Sequence, residues 1–140
     1  MQTLAEGDTI VVTLTPGEEI VASLLQVAAA HDIRGGSLAG LGSTSEVEIA
    51  FFNPEKKEYV PRVFTEPMEV GNLVGNFSRM DDEYHVHCHV TVSGQELIAF
   101  TGHLNRGIVG TACEIYIRKL PRAITREKDA AAGFNPLKLK

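Results

Sequence analysis

Residues 85–104, HVHCHVTVSGQELIAFTGHL, decide how the chain is read. Two runs of alternating residues flank Ser93-Gly94-Gln95-Glu96, a turn sequence, so the stretch predicts a β-hairpin. Alternate residues of a strand share a face. His85, His87 and His89 therefore point one way, and Val86, Cys88, Val90 and Val92 the other. In the second run Leu97, Ala99, Thr101 and His103 form one face, and Ile98, Phe100, Gly102 and Leu104 the opposite face. A three-residue loop, residues 94–96, pairs Ser93 with Leu97, Val92 with Ile98, Val90 with Phe100 and Val86 with Leu104. This merges the two apolar sets into one core face. The same register sets His87 opposite His103, whereas a two-residue loop would turn His103 into the core. Packing alone predicts that His103 joins the other histidines.

Neighbours across a strand pair have Cβ atoms ~5 Å apart, and alternate residues of one strand lie ~6.6 Å apart. Imidazoles so spaced can converge on one ion at ~2.0–2.1 Å per Zn–N bond. His87, His89 and His103 are the expected ligands of a zinc or other divalent ion. His85, ~13 Å from His89 along the strand, is not expected to share it. Three neutral histidines with an open fourth position match a catalytic zinc centre better than a closed structural one. Glu96 and Glu114 are candidates to orient the ligands, and Arg34, Arg62, Arg79 and Arg106 are the candidate cations. Asn76 and Ser78, near Gly75, read first as ordinary strand residues and second as site lining. Histidines on a solvent face also serve as plain polar surface or as a pH-sensitive subunit interface, and both alternatives stay open.

Outward from the hairpin, the 140-residue, 15.2 kDa chain is one domain's worth of sequence. Its hydrophobic fraction of 44% and charged fraction of 22% are those of a soluble globular protein. A net charge of −5 argues against gripping nucleic acid by its phosphates. Two cysteines, Cys88 and Cys113, without a CxxC motif read as reduced core thiols rather than a disulfide scaffold. The N-terminal MQTLAEGDTIVV lacks a signal-peptide pattern, and no apolar run approaches the ~18 residues of a membrane span. A cytoplasmic protein with no membrane partner is expected.

Residues 9–14 (TIVVTL) read as a strand. A helix is expected from about Pro16 to His31, with Thr15 as cap, Glu18 three residues later, and an apolar face of Ile20, Val21, Leu24, Leu25, Val27 and Ala28. Short strands follow at residues 37–42, 47–52, 58–64, 67–77, 85–92, 97–104 and 108–120, with Gly71 and Gly75 as bulges or close crossings. Gly40-Leu41-Gly42 is not a nucleotide loop, because no helical pattern opens there. The fold class is α+β, an antiparallel-rich mixed sheet flanked by helices. The tail carries Arg118, Lys119, Arg122, Arg126 and Lys128, yet Phe134, Leu137 and Leu139 favour a packed edge strand over a basic arm.

Several segments together resemble the plants-and-prokaryotes-conserved (PPC) domain. Residues 15–43, TPGEEIVASLLQVAAAHDIRGGSLAGLGS, look like its capped helix, its H-x-I-R-x-G exit and its Gly-rich strand. Glu66-Pro67-Met68-Glu69 with Leu73-Val74-Gly75-Asn76-Phe77-Ser78 resembles its middle motif. His87-Cys88-His89-Val90 and Thr101-Gly102-His103-Leu104 resemble its H-x-H-V and G-G-H-L segments, with Thr101 in place of the first glycine. Residues 126–139 match its R-x-x-D…G-F-x-x-L ending. The resemblance implies an antiparallel-rich sheet with flanking helices, a homotrimer, and metal at His87, His89 and His103. In plants the domain accompanies AT-hooks, but no Arg-Gly-Arg-Pro core occurs here. Prokaryotic members are often labelled DNA-binding. The fold is also similar to that of acetolactate decarboxylase, a three-histidine zinc enzyme, which is analogy at the level of fold. The expected function is a homotrimeric binding, interaction or regulatory module with a zinc site and a small-molecule ligand. The alternatives are a zinc-dependent lyase or hydrolase acting on a small acidic substrate, and a DNA-associated regulator.

Overall fold

Turn signals that break the sequence into short runs do not break the strands. In the computed structural model, which describes residues 1–129 and 131–139, the runs at 37–42 and 47–52 are halves of one strand, and so are those at 99–104 and 108–119. The elements are β1 (Gln2–Glu6), β2 (Thr9–Leu14), α1 (Ile20–Ala30), β3 (Gly36–Asn53), β4 (Glu58–Phe64), β5 (Met68–Met80), β6 (Glu83–Ser93), β7 (Ala99–Lys119), β8 (Thr125–Arg126) and β9 (Leu137–Lys138). Long strands must bend to stay paired, and β3 does so against β7 through register shifts at Gly42/Thr44, Thr44/Glu46 and Glu48/Ile49. The strands form one mixed sheet in which only the β5–β8 pair is parallel. β3 pairs with β5 and β7, and β6 bridges β5 and β7, so β3–β5–β6–β7 close a ring. β4 extends the second half of β3, and the β2–β1 hairpin extends the second half of β7.

The helix begins later than expected. Thr15 and Glu18 do meet, with the Thr15 amide donating to Glu18 Oε2 at 2.8 Å, but they close a turn ahead of the helix. Gly17, at φ +87°, donates to the Val109 carbonyl at 3.0 Å, and Val109 donates back to Glu18 at 2.9 Å. That turn is tied to β7, so the cap passes to Glu19, whose carboxylate accepts from the Val21 and Ala22 amides at 3.0 and 2.6 Å. The helix ends at His31 as expected. Ile20, Leu24, Val27 and Ala28 are buried in the core shared with Phe77, Cys88, Val90, Val92, Leu104 and Ile115. Each such side chain contributes roughly 1.5–3 kcal/mol through burial. Among the described residues this one helix is the whole helical cover of the sheet. Burial also pushes the free thiols up, Cys88 to about 12 and Cys113 to about 11, which leaves them inert core groups.

The hairpin keeps its predicted faces but not its register. β6 pairs with β7 as His89 with His103, Val90 with Gly102, Val92 with Phe100 and Ser93 with Ala99. The loop is five residues, 94–98, rather than three. The Leu97 amide donates to the Gly94 carbonyl at 2.9 Å, Leu97 takes φ +57°, and it is 80% exposed. A slip of two residues moves no side chain across the sheet, so apolar matching cannot distinguish the two registers. The partner of His103 is therefore His89, not His87. Gly102 lies close against β3, where a Cβ would meet the Ala50 carbonyl at 2.8 Å.

Gly71 marks the register shift between Val70 and Asn72, and Gly75 is a close crossing. Gly40-Leu41-Gly42 lies within β3 against β7. A Cβ on Gly75 would lie 2.4 Å from the His87 carbonyl and 2.8 Å from Cys88 Sγ. G75A is expected to lower the stability of the fold by about 1–3 kcal/mol through this overpacking, read as a lower urea midpoint at unchanged slope.

Candidate metal centre

Alternation along β6 aims His85, His87 and His89 away from the core, and β7 places His103 beside His89. Ring centroids of His87 and His103 are 4.9 Å apart, those of His87 and His89 5.3 Å, and those of His89 and His103 5.8 Å. One ring nitrogen of each of His87, His89 and His103 lies within 4.8 Å of the others. His87 Nε2 and His103 Nδ1 are buried and have no hydrogen-bond partner. Leaving such an atom unpaired costs about 1–3 kcal/mol. An ion at the cluster would satisfy both at once, and an all-imidazole donor set suits a divalent transition metal. The residues present thus fit such an ion. His85 stands at the edge of the cluster, on an adjoining cavity rather than among the three nitrogens.

Burial, more than any neighbour, depresses the pKa values of His85, His87 and His103. It lowers His87 to about 4, helped by His103, Arg126 and the other imidazoles. His103 is lowered by burial and then by His89 and His85, and His85 by burial and then by Arg126. At neutral pH His87 and His103 therefore carry free lone pairs, the form that binds metals.

A cavity of ≈ 230 Å³ opens beside His87 and His103. Its aromatic wall is Tyr59 and Phe134: Tyr59 is tilted against His103 with centroids 4.8 Å apart, and Phe52 packs against both at 5.2 and 5.8 Å. Its cation is Arg126 of β8. Nε donates to Ser78 Oγ at 3.0 Å, Nη1 to the Asn135 carbonyl at 2.7 Å, and Nη2 to Asn76 Oδ1 at 2.7 Å. Nη2 also lies 3.3 Å from His87 Nδ1. Asn76 and Ser78 sit opposite His87 and His85 across the β5–β6 pair. The preferred reading of Asn76 and Ser78 as ordinary strand residues is thus corrected, since together they hold the cation of the site.

The four arginines picked out from the sequence are engaged elsewhere. Arg34 pairs with Asp32 at 3.0 Å and Arg106 with Glu46. Arg62 covers the Phe64 and Phe100 rings at 4.5 and 4.6 Å, and Arg79 covers Tyr84 at 4.3 Å. Glu96 lies in the hairpin loop and Glu114 pairs across to Leu41 and Thr13, so neither lines the cavity. The one sequence signal for Arg126 was its place in the R-x-x-D tail match. The tail docks as Leu137–Lys138 paired with Thr125–Arg126, a shorter edge strand than residues 134–139 suggested.

A family model for the Plants and Prokaryotes Conserved (PCC) domain matches residues 1–121. No curated protein matches the chain significantly. A Bacteroides thetaiotaomicron protein, provisionally labelled DNA-binding, is 31% identical with a TM-score of 0.94, over 98% of this chain and 96% of its own. A plant- and prokaryote-conserved protein from Pyrococcus horikoshii is 30% identical with a TM-score of 0.87, over 96% of this chain and 94% of its own. A metal-containing protein from Archaeoglobus fulgidus is 27% identical with a TM-score of 0.89, over 95% and 94%. A Staphylococcus aureus protein similar to alpha-acetolactate decarboxylase shares the fold alone, at 13% identity and a TM-score of 0.56 over 82% of this chain and 52% of its own. A match over residues 1–121, with the H-x-H and G-H segments brought together as one cluster, places the chain in the Plants and Prokaryotes Conserved domain family.

Proposed function

We propose that this chain binds one zinc ion through His87, His89 and His103 and works as a homotrimeric ligand-binding module. The observation that carries the metal reading is the pair of buried, unpartnered nitrogens, His87 Nε2 and His103 Nδ1, converging with His89. The metal-containing relative from Archaeoglobus supports it. Zinc bound there would act as a Lewis acid toward a ligand at its open position. The trimer reading draws support from a row of paired residues on the outer face: Leu4, Val11, Tyr116, Ala39, Val74 and then His89. Leu4, Tyr116 and Val74 are exposed, and apolar exposure of this kind favours association with another surface. A lyase or hydrolase is the second reading, favoured by His85 and Tyr59, which line the same cavity and are groups able to move protons. A role on DNA is carried by the label of the Bacteroides relative, but the net charge of −5 opposes it. No helix among the described residues is long and apolar enough to cross a membrane.

Elemental analysis after native purification is expected to find about one zinc per chain, and H103A to lose it. Wild type free of metal that also fails to take up zinc on titration would sink this reading. Light scattering is expected to give three times the 15.2 kDa chain mass. A monomer would remove the trimer.

On a DNA column at about 50 mM salt the chain is expected in the flow-through. Retention that salt reverses would restore the DNA reading.

With His87 near 4 when folded and 6.5 as its ordinary value, the unfolded chain binds more protons in that window. Stability of the metal-free protein is therefore complete above pH 6.5 and falls as pH drops toward 4. H87Q should flatten that fall in urea midpoints measured across pH.

A further inference from the structure

We infer that Arg126 makes the cavity beside the histidine cluster a site for a small monocarboxylate. A guanidinium offers five N–H donors. In Arg126 the partners are Ser78 Oγ, the Asn135 carbonyl, Asn76 Oδ1 and, at the longest distance of the four, His87 Nδ1. One Nη1 N–H is left over, and all four partners are uncharged. Arg126 is partly buried and lines the cavity, and no carboxylate among the described residues pairs with it.

The acids nearest in sequence could have supplied one, but they are engaged elsewhere. Glu127 pairs with Lys138 at 3.1 Å, and the Asp129 carboxylate accepts from the Ala131 and Ala132 amides at 2.9 and 3.0 Å. No carboxylate among the described residues lines the cavity. By contrast Arg34, Arg106, Arg118 and Lys128 each have an acidic partner. The built feature is thus a cation pinned by Asn76, Ser78 and Asn135, facing a space of ≈ 230 Å³ with a Tyr59–Phe134 wall. One cation and an aromatic wall suit a singly charged carboxylate with a short apolar body. A phosphate dianion would call for more donors than are present.

A second consequence rests on the metal reading. Neutral imidazole has one N–H and one lone pair. While His87 Nδ1 accepts from Arg126, its proton sits on Nε2. A metal held at Nε2 would need the lone pair of that nitrogen, so the imidazole would change tautomer, its proton leaving Nε2 and one binding at Nδ1, which would then face the Arg126 N–H donor to donor. A carboxylate oxygen accepting from both relieves the clash, as carboxylates commonly do for metal-bound histidine. Metal and carboxylate therefore strengthen each other's binding.

The test is calorimetric titration of the full chain, both chelator-treated and zinc-loaded, with acetate, acetamide and inorganic phosphate. Acetate is expected to bind in both states and more tightly with zinc. Acetamide should bind at least tenfold more weakly. R126Q should weaken acetate at least tenfold in the chelator-treated protein, and R126K, which keeps the charge, should weaken it less. R106Q, the same change at an arginine paired with Glu46 away from the cavity, should bind acetate like wild type, and a urea midpoint of R126Q close to that of wild type separates loss of the site from loss of the fold. Acetate binding indifferent to both R126Q and R126K, acetamide binding as well as acetate, or phosphate binding tighter than acetate would each overturn the assignment. Arg126-dependent acetate binding in a chain that takes up no zinc would sink the metal reading and sustain this one. Zinc uptake with Arg126-independent acetate binding would do the reverse.

Discussion

The cross-strand pair His89–His103 stands where β6 closes the ring of strands, with His103 in turn opposite Ala50 of β3. One side of this junction carries Val90, Val92 and Leu104 into the core beneath α1, and the other carries the histidine cluster. Backbones must approach closely for both to hold. Gly75 beneath the His87 carbonyl and Gly102 beneath the Ala50 carbonyl allow it, since a Cβ at either position would collide with main chain. The core and the site are thus two faces of one constraint. Burying the apolar set of a strand leaves its alternate residues nowhere to point but outward together.

Charge is distributed against the overall balance of the molecule. The chain carries −5, yet the cavity beside the cluster is lined by imidazoles, a phenol and one arginine, with no carboxylate. Burial keeps His87 and His103 neutral, the form that binds metals, and His87 Nε2 and His103 Nδ1 have no hydrogen-bond partner among the described residues. In a native fold a buried polar atom normally finds a partner. Two unpartnered nitrogens and a cation without an acidic partner among the described residues lie in the same place, and the proposed metal and ligand rest on that coincidence.

Part of that site comes from beyond the matched family segment. Arg126, Phe134 and Asn135 follow residue 121, and they reach the cluster because β8 pairs with β5 at Arg79 and the tail folds back on itself through β9. The tail supplies the cation and one wall of the cavity, and β5 supplies Asn76 and Ser78 to hold it. A tail that looked like a plain edge strand therefore has chemistry of its own.

The alternation of residues 85–92 and 99–104 by itself determined which side chains are core and which are site, because side-chain direction in a strand follows parity. It determined the membership of His103 in the cluster for the same reason, and similar local patterns marked the longer strands, though not β1 or β8. It could not set the register. A slip of two residues preserves every face, and the five-residue loop, with Leu97 in a left-handed conformation, sets His89 as the partner of His103. Nor could it place the start of the helix, where β7 competed for the backbone of residues 17–18. Arg126 was hidden for a further reason. Its partners lie 39 to 50 positions away on other strands and 9 ahead in the tail, so nothing local distinguishes it from its basic neighbours. Tertiary structure alone decided which arginine faces the histidines, because that depends on where separate strands meet and not on any period along one of them.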